Sequence, residues 1–352
     1  MDVATWANER GCLLKLLHPP VIDEVRPYVS DDRAAREEFT THRAALERAQ
    51  TLVTIEKATI RDVVGLVELP DGQICYEGNW WLPYLQDHPA YKRRFALKRR
   101  RLIGNVYSLL SLWSSEFYHW FHDVLPRLET ALPHLPADAK FLINPNPKAW
   151  QLDSLLAFGI GPDRLEIQPS GMHTRVERLW LSTPVGHSSL GSGIVLRRVA
   201  DRLRHHFIGD DSVRNSHYRL YISRRKAASR RIVNESEIKA LLEEQGLETV
   251  LCEDLSLAQQ VQLFAKTTTI IGAHGAGLTN LMYCLPGSLI GEVHMDGVPP
   301  AYLVMSRQLG MRFSRFEASV LSVERSRSDV QVDPAAFKAW IYDCFRSSRT
   351  EG

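Results

Sequence analysis

The 352-residue chain has no long apolar run and little cysteine. No stretch reaches the roughly 18 apolar residues that a transmembrane helix needs. The N-terminal segment carries charge and lacks the apolar core of a signal peptide. The five cysteines are odd in number, widely spaced and never arranged as CxxC, which argues against a disulfide framework or a zinc ribbon. Together these absences favour a cytoplasmic location.

The chain also lacks an excess of charge of one sign. It has 43 Lys and Arg against 41 Asp and Glu, a formal charge of +2, so composition does not call for nucleic acid as a partner. A basic run at 92–101 is the local exception. It fits either a solvated face or a peripheral contact with an anionic membrane. At about 150 residues per domain, the length predicts two domains.

Strand and helix patterns alternate along most of the chain, which is typical of βαβ units and a parallel, doubly wound α/β sheet. Residues 208–217 are polar and contain Gly and Asn, and we interpret them as an inter-domain linker. The Asp71-Gly72 pair between two β-like segments predicts a hairpin turn. The pattern also predicts helices that begin at Ser256 and near Ala276, and another that ends at Gly246.

A glycine-rich turn follows the apolar strand TTTIIGA. It contains Gly272, His274, Gly275 and Gly277, and a helix is expected from about Ala276. Glycines let a backbone approach a ligand closely, and a helix N-terminus offers unpaired N–H groups to an anion. The turn therefore favours a phosphate or diphosphate site, with plain strand–helix packing as the alternative. Its spacing is not GxGxxG, and no GxxxxGK[ST] occurs, so dinucleotide-binding and Walker readings are weak.

A cationic loop follows another strand, YRLYIS. Arginine binds phosphate through a planar, permanently charged fork. The loop is expected to open on the same carboxyl-end face as the glycine turn, although a solvated basic loop is the alternative. Asn234 is also a plain N-cap candidate for the next helix. The cations of the loop are Arg224, Arg225, Lys226, Arg230 and Arg231.

The segment EFYHWFHDVLPRL places His119 and Asp123 four residues apart, on one face of a helix. A carboxylate beside an imidazole fixes its tautomer and raises its basicity, as a general base requires. His122 is expected to point elsewhere. The alternative is a His–Asp pair that only satisfies a buried helix.

Three segments, in this order, resemble glycosyltransferase family 61: SSEFYHWFHDVLPRL, SRRKAASRRIVNESEI and GAHGAGLTN. That family includes protein O-GlcNAc and xylan-decorating transferases and bacterial proteins of capsular polysaccharide biosynthesis. Its first motif usually reads Asn, two aromatics, His, three residues and Asp. His119 and Asp123 match this pattern, whereas Glu116 stands in place of the Asn.

The resemblance implies a GT-B fold, with two Rossmann-like doubly wound domains facing a cleft. We expect an acceptor-side domain over 1–207, a nucleotide-sugar-binding domain over 218–315, and a segment at 316–352 that returns to the first domain. His119 and Asp123 are the candidates for the general base. The candidate donor-binding residues are Arg224, Arg230, Asn234, Glu235, Gly272, His274, Gly275, Ala276, Gly277, Asn280 and Glu292.

The expected activity is inverting transfer of a sugar from a nucleotide sugar, UDP-linked by expectation, to a glycan or other hydroxyl acceptor. The chain has no DxD motif, so no metal and no further cofactor is expected. The resemblance is compatible with a protein at the cytoplasmic side of the inner membrane. The alternatives are an inactive nucleotide- or carbohydrate-binding scaffold of the same fold, and another nucleotide-sugar enzyme such as an epimerase.

Overall fold

The computed structural model describes residues 3–75, 98–209, 217–322 and 327–346. Contacts between Cα atoms divide the chain into two compact units. The first unit contains Met1–Pro27 and Phe39–Val199, and the second contains Tyr28–Glu38 and Ala200–Gly352. Much of the basic run at 92–101 and of the predicted linker at 208–217 lies outside the described residues.

The first unit is built on a mixed sheet that contains nine strands of the described residues. A small antiparallel pair, β10 and β11, lies apart from it. The strands are β1 (Leu14–His18), β2 (Gln50–Glu56), β3 (Thr59–Arg61), β4 (Leu66–Glu68), β5 (Ile74–Cys75), β6 (Lys98–Ser108), β7 (Lys140–Ile143), β8 (Leu165–Ile167), β9 (Met172–Ser182), β10 (Gly186–His187) and β11 (Leu190–Gly191).

Only part of this sheet is parallel. Strands β9, β6, β7 and β8 are parallel neighbours, whereas β2 and β3 run antiparallel to β9. Strands β4 and β5 form the hairpin predicted at Asp71-Gly72, where Gly72 adopts a φ of 85°. A connection as short as this hairpin turn can join antiparallel strands, whereas parallel neighbours need a longer crossover. The parallel pairing that the sequence predicts is therefore present on one side of this sheet and not on the other.

Helices of the first half cover the sheet or carry the candidate base. Helix α1 packs on the core through Val3, Trp6 and Ala7. Short 3-10 turns lie at Arg26–Tyr28, Leu132–His134 and Pro162–Arg164. Among the described residues up to 208, the helices are α1 (Val3–Glu9), α2 (Ile22–Val25), α3 (Arg33–Leu46), α4 (Phe117–His119), α5 (Leu125–Ala131), α6 (Ala149–Ala157) and α7 (Gly193–Ile208), with a π-helical turn at Trp120–Val124.

The second unit contains a parallel sheet in the order β13-β12-β14-β15-β16, as the alternating pattern predicts. A further antiparallel pair joins β17 to β18. The strands are β12 (Tyr218–Ile222), β13 (Glu248–Val250), β14 (Thr267–Ala273), β15 (Leu289–His294), β16 (Arg312–Glu317), β17 (Ser319–Val320) and β18 (Val330–Gln331).

Strand order reverses between β12 and β14, because β13 lies on the other side of β12. In open α/β sheets, ligands bind beyond the carboxyl ends of the strands at such a reversal. The loops that leave β12 and β14 start side by side there. The arginine loop and the glycine turn, which these loops contain, therefore meet at one edge of the sheet.

The helices of the second unit begin and end largely where the sequence indicates. Ser256 caps its helix by accepting from the backbone N–H of Gln259, and Gly246 adopts a φ of 70° just after another helix ends. The helices are α8 (Glu235–Glu244), α9 (Leu257–Phe264), α10 (Ala301–Gln308) and α11 (Pro334–Arg346), with 3-10 helices at Cys252–Asp254 and Ala276–Tyr283.

The helix expected from Ala276 is a 3-10 helix and not an α-helix. It contains Gly277, Thr279 and Asn280, which are poor α-helix formers. The Asn280 side chain also donates to the carbonyl of Gly277 at 3.1 Å.

The second unit differs from the expected nucleotide-sugar-binding domain over 218–315 by two further segments. The final helix α11, predicted to return to the N-terminal domain, packs in the second unit's own core through Phe337, Ile341 and Phe345. Residues 28–38 also belong to this unit. Within it, Asp32 pairs with Arg315 at 2.9 Å, and both side chains are largely buried. Local sequence patterns do not contain these long-range contacts.

Candidate functional site

Arg224 and Gly275 are in close contact at the carboxyl edge of the second unit's sheet. A Cβ on Gly275 would lie 1.9 Å from Nη1 of Arg224, so any side chain there would displace the guanidinium. The guanidinium of Arg224 is fixed by its own loop, because it donates to the carbonyls of Ser229 at 3.0 Å and Arg230 at 3.2 Å. The absence of a side chain at Gly275 therefore leaves the space in which the Arg224 guanidinium contacts the turn.

Arg230 adds a second cation near the same turn. It is a non-glycine residue with a φ of 60°, a left-handed conformation that is uncommon for such residues. Burial, and then the charge of Arg230, lower the pKa of Arg224. Two guanidinium groups that disfavour one another in a partly buried place favour an anionic ligand.

His274 follows β14 and is bonded to the neighbouring strand. Its Nδ1 lies 2.5 Å from Oε1 of Glu292 on β15, and Nδ1 of His294 lies 3.5 Å from the same oxygen. Burial raises the pKa of Glu292, but the charge and hydrogen bond of His274 outweigh it and bring that pKa to about 2. Glu292 is therefore a carboxylate at neutral pH, and it fixes the orientation of the His274 ring.

The same three side chains could hold a metal. One ligand atom from each of His274, Glu292 and His294 lies within 4.8 Å of the others, and all three residues are buried. Imidazole and carboxylate suit several divalent transition metals. Tyr302 packs its ring 5.1 Å from that of His274 and donates to the carbonyl of Gly275 at 2.7 Å.

The other donor-binding candidates mostly support the loops. Gly272 and Gly277 pack on Ile222, where an added Cβ would lie 3.1 Å and 2.9 Å from its side chain. Asn280 donates to Gln260 of α9 at 2.8 Å. Ala276 is the first residue of the 3-10 helix.

Asn234 and Glu235 lie at the start of α8. Asn234 makes no side-chain cap hydrogen bond. Instead it donates to the carbonyl of Val332 at 2.8 Å and accepts from its N–H at 3.1 Å. Burial is the main cause of the raised pKa of the Tyr221 phenol. The charge of the Glu235 carboxylate and its hydrogen bond with Tyr221 raise that pKa further. Both residues therefore anchor α8 within the second unit.

Cys252 lies beneath the glycine turn. Its Sγ would be 3.5 Å from a Cβ on Gly277, and it accepts from Nδ2 of Asn280 at 3.7 Å. Burial raises the pKa of the Cys252 thiol to about 12. The thiol is therefore protonated and unreactive while the turn is in place.

The candidate base lies in the first unit, on the helical segment 117–131. Nδ1 of His119 lies 2.8 Å from Oδ2 of Asp123, as the four-residue spacing predicts. The His119 side chain is 23% exposed, whereas that of Asp123 is 9% exposed. The imidazole is therefore the member of the pair that a substrate reaches more easily.

Asp123 is ionised in this setting. Burial raises its pKa, but hydrogen bonds with His119 and His122 outweigh it and bring the pKa to about 2. The ring of Trp113 stacks on that of His119 with centroids 5.0 Å apart. The pair therefore consists of an ionised Asp123 and a His119 ring whose orientation that carboxylate fixes. Glu116, which replaces the family's Asn, is exposed at the start of α4.

The expectation that His122 points elsewhere is wrong. Its Nδ1 lies 3.1 Å from Oδ1 of Asp123. The reason is the π-helical turn, in which the N–H of Leu125 bonds to the carbonyl of Trp120, five residues back. Such turns depart from α-helical spacing and are frequent at functional sites. No pattern in the sequence marked this turn.

Ser188 is a further residue that sequence reasoning missed. Its hydroxyl donates to Oδ2 of Asp123 at 2.9 Å and lies 3.2 Å from Nδ1 of His119. It occupies the turn between β10 and β11, whose strands contain Gly186 and Gly191. The only signal in the sequence is a Ser pair between glycines, which is typical of many surface turns.

Comparison with known proteins gave a family match that includes both the candidate base and the two loops of the second unit. Residues 117–291 match the family described as Glycosyltransferase 61. The match begins just before His119 and includes the arginine loop and the glycine turn. The chain belongs to glycosyltransferase family 61.

A curated relative supports the same assignment. It is the "EGF domain-specific O-linked N-acetylglucosamine transferase" of Drosophila melanogaster, which is 33% identical over 100 residues. The aligned part covers 28% of this chain and 19% of the relative, so the chain spans about a fifth of the relative's length. The family and the relative together support a transferase activity.

None of the helices in the described ranges is both long and apolar enough to cross a membrane.

Proposed function

We propose that this family 61 member is an inverting, metal-independent glycosyltransferase that moves a sugar from a UDP-linked donor to a hydroxyl acceptor. One observation carries the proposal: an ionised Asp123 holds the more exposed His119 by its Nδ1 at 2.8 Å. That is the arrangement a general base needs. The proposal keeps the GT-B arrangement and the cytoplasmic location as expectations from the sequence.

The base chemistry follows from the tautomer. With the Nδ1 proton directed at Asp123, the lone pair of the neutral ring is on Nε2. The acceptor oxygen forms a bond to the anomeric carbon as its proton passes to Nε2. The bond between that carbon and the phosphate oxygen breaks, and its electron pair leaves with the nucleoside diphosphate. Attack opposite to the leaving group inverts the anomeric configuration.

The second unit provides the groups that suit the departing diphosphate. Arg224 lies against the glycine turn, and His274 is held beside it by Glu292. Fixed cations and N–H dipoles stabilise the negative charge that develops as the bond breaks. We assign Arg224, His274 and the backbone of Gly275, Ala276 and Gly277 to the diphosphate.

The relative's name suggests the first substrates to try. It names an O-linked N-acetylglucosamine transferase specific for EGF domains, which combines an N-acetylglucosamine donor with a protein acceptor. For this chain, both a glycan and a protein hydroxyl stay open as acceptors. A screen of nucleotide sugars, starting with UDP-N-acetylglucosamine, tests donor choice by thermal stabilisation and by release of nucleoside diphosphate.

Calorimetry with UDP tests the diphosphate assignment. Arg224→Ala is expected to weaken binding by about 1.5–3 kcal/mol, the range for a hydrogen bond to a charged group. Arg225→Ala is the matched control, because Arg225 is an exposed arginine in the same loop. UDP binding that is equally tight in wild type and Arg224→Ala would remove Arg224 from the site. Binding without turnover of any donor would instead favour the inactive scaffold.

A further inference from the structure

The carboxylate of Asp123 is held on both of its oxygens. Oδ2 faces Nδ1 of His119 at 2.8 Å and the hydroxyl of Ser188 at 2.9 Å. Oδ1 faces Nδ1 of His122 at 3.1 Å. A carboxylate with one oxygen on the base and the other on a second donor cannot rotate without breaking a charge-assisted hydrogen bond.

The ring of His122 is fixed by its own contacts. The residue is buried, with 7% exposure. Tyr118 stacks on the ring with centroids 4.9 Å apart and planes within 14°. The Tyr118 hydroxyl in turn donates to the carbonyl of Ser188 at 2.7 Å. Tyr118 therefore links two of the three groups that hold Asp123, namely His122 and Ser188.

The small hairpin of β10 and β11 approaches the same ring from another side. A Cβ on Gly191 would lie 3.1 Å from Cε1 and 3.6 Å from Nε2 of His122. A contact of 3.1 Å is too short for a methyl group, so the ring would have to move. The hairpin thus brings Ser188 to the carboxylate and leaves room at Gly191 for the imidazole.

We propose that His122 is a positioning residue for transfer: it fixes Oδ1 of Asp123 so that Oδ2 stays on His119, and Gly191 preserves the space that this requires. The inference rests on the proposed function, since His119 acts as the base in it. His122 itself touches neither substrate. It sets the direction of the His119 ring through the carboxylate that the two histidines share.

Steady-state kinetics of His122→Leu and His122→Asn test this role. Asn can donate from a position close to that of Nδ1, whereas Leu fills space without donating. We expect His122→Leu to lower kcat about tenfold, less than removal of the base itself. The KM for donor should stay within about twofold, because the interaction is used in the transition state. His122→Asn should recover most of the lost kcat.

The matched control is His173→Leu. His173 is also 7% exposed and lies in the same unit, on β9. It should leave kcat near the wild-type value, and thermal unfolding of each variant reports the loss of stability separately. Wild-type kcat in His122→Leu, or a kcat for His122→Asn as low as that for His122→Leu, would overturn the inference.

A double-mutant cycle provides a second test that does not depend on the stability of one variant. Gly191→Ala should lower kcat in the wild-type background, because the methyl group displaces the ring. In His122→Ala the ring is gone, and the same methyl group should have no further effect on kcat. Equal effects in both backgrounds contradict the inference. Failure of the proposed function would look different: wild type would turn over no nucleotide sugar at all.

Discussion

At the scale of single residues, His119 and Asp123 divide the work of one base. His119 is the more exposed of the two, and the pKa of Asp123 is lowered to about 2. An imidazole has a pKa near working pH, where a general base is most effective. A carboxylate whose pKa lies at about 2 is a weak proton acceptor and a good orienting group.

The two roles are separated by substitution. We expect His119→Ala to lower kcat by about 100-fold or more, while calorimetry gives an unchanged affinity for UDP. Asp123→Asn should cost less, because the amide oxygen can still accept a hydrogen bond from the ring. The opposite order, with near-normal turnover in His119→Ala and none in Asp123→Asn, would assign the base to Asp123.

Glu292 makes the free energy of unfolding of the second unit depend on pH. Its pKa falls from 4.5 to about 2 on folding, so the folded chain binds this proton more weakly than the unfolded chain. The contribution to the free energy of unfolding is therefore complete above pH of about 4.5 and is lost as the pH falls to about 2.

Denaturant unfolding of wild type and Glu292→Gln at several pH values measures this effect. The difference between them should be largest near pH 7 and shrink toward pH 2. Asp123 titrates over a similar range in both proteins, so it cancels in the comparison. A difference that does not change with pH would mean that the Glu292 carboxylate has no lowered pKa.

At the scale of elements, α11 is the clearest case of packing that local sequence does not reveal. Phe337 is fully buried in the core of the second unit, while Tyr342 on the same helix is 45% exposed. We expect Phe337→Ala to lower the free energy of unfolding by about 3–5 kcal/mol, and Tyr342→Ala to change it little. Denaturant unfolding measures both, and equal losses would contradict the placement of α11.

Elements set by local chemistry were predictable, and those set by tertiary contacts were not. The hairpin at Asp71-Gly72 and the Ser256 cap follow from the residues themselves. The π-turn at Trp120–Val124 shows no such local signature, and it is the turn that brings His122 to Asp123. The β10–β11 hairpin has only two residues in each strand, which is too short for a recognisable alternation.

At the scale of the whole molecule, the sequence indicated the parallel sheet of the second unit better than the mixed sheet of the first. In the parallel sheet of the second unit, each of the strands from β12 to β16 is separated from the next by a helical segment, so the pattern itself requires crossovers. In the first unit, β2 and β3 both pair with β9 across more than a hundred residues. Pairing at such separation is not written in any local periodicity.

Metal dependence is a property of the whole reaction. We expect transfer and UDP binding to persist in EDTA, because Arg224 and Arg230 provide positive charge near the glycine turn. The measurement is turnover before and after chelation, with Mg²⁺, Mn²⁺ and Zn²⁺ added back. Activity that is lost in EDTA and returns with one cation would point to the cluster of His274, Glu292 and His294.

The position of Cys252 beneath the glycine turn makes alkylation of its thiol a probe of the opening of that turn. Its thiol, with a pKa of about 12, can meet an alkylating reagent only when the turn opens, so the labelling rate reports how often that happens. Cys12 is less buried than the other cysteines of the chain and should react first. A nucleotide on the turn should therefore slow Cys252 alkylation and leave that of Cys12 unchanged, without any assay of sugar transfer.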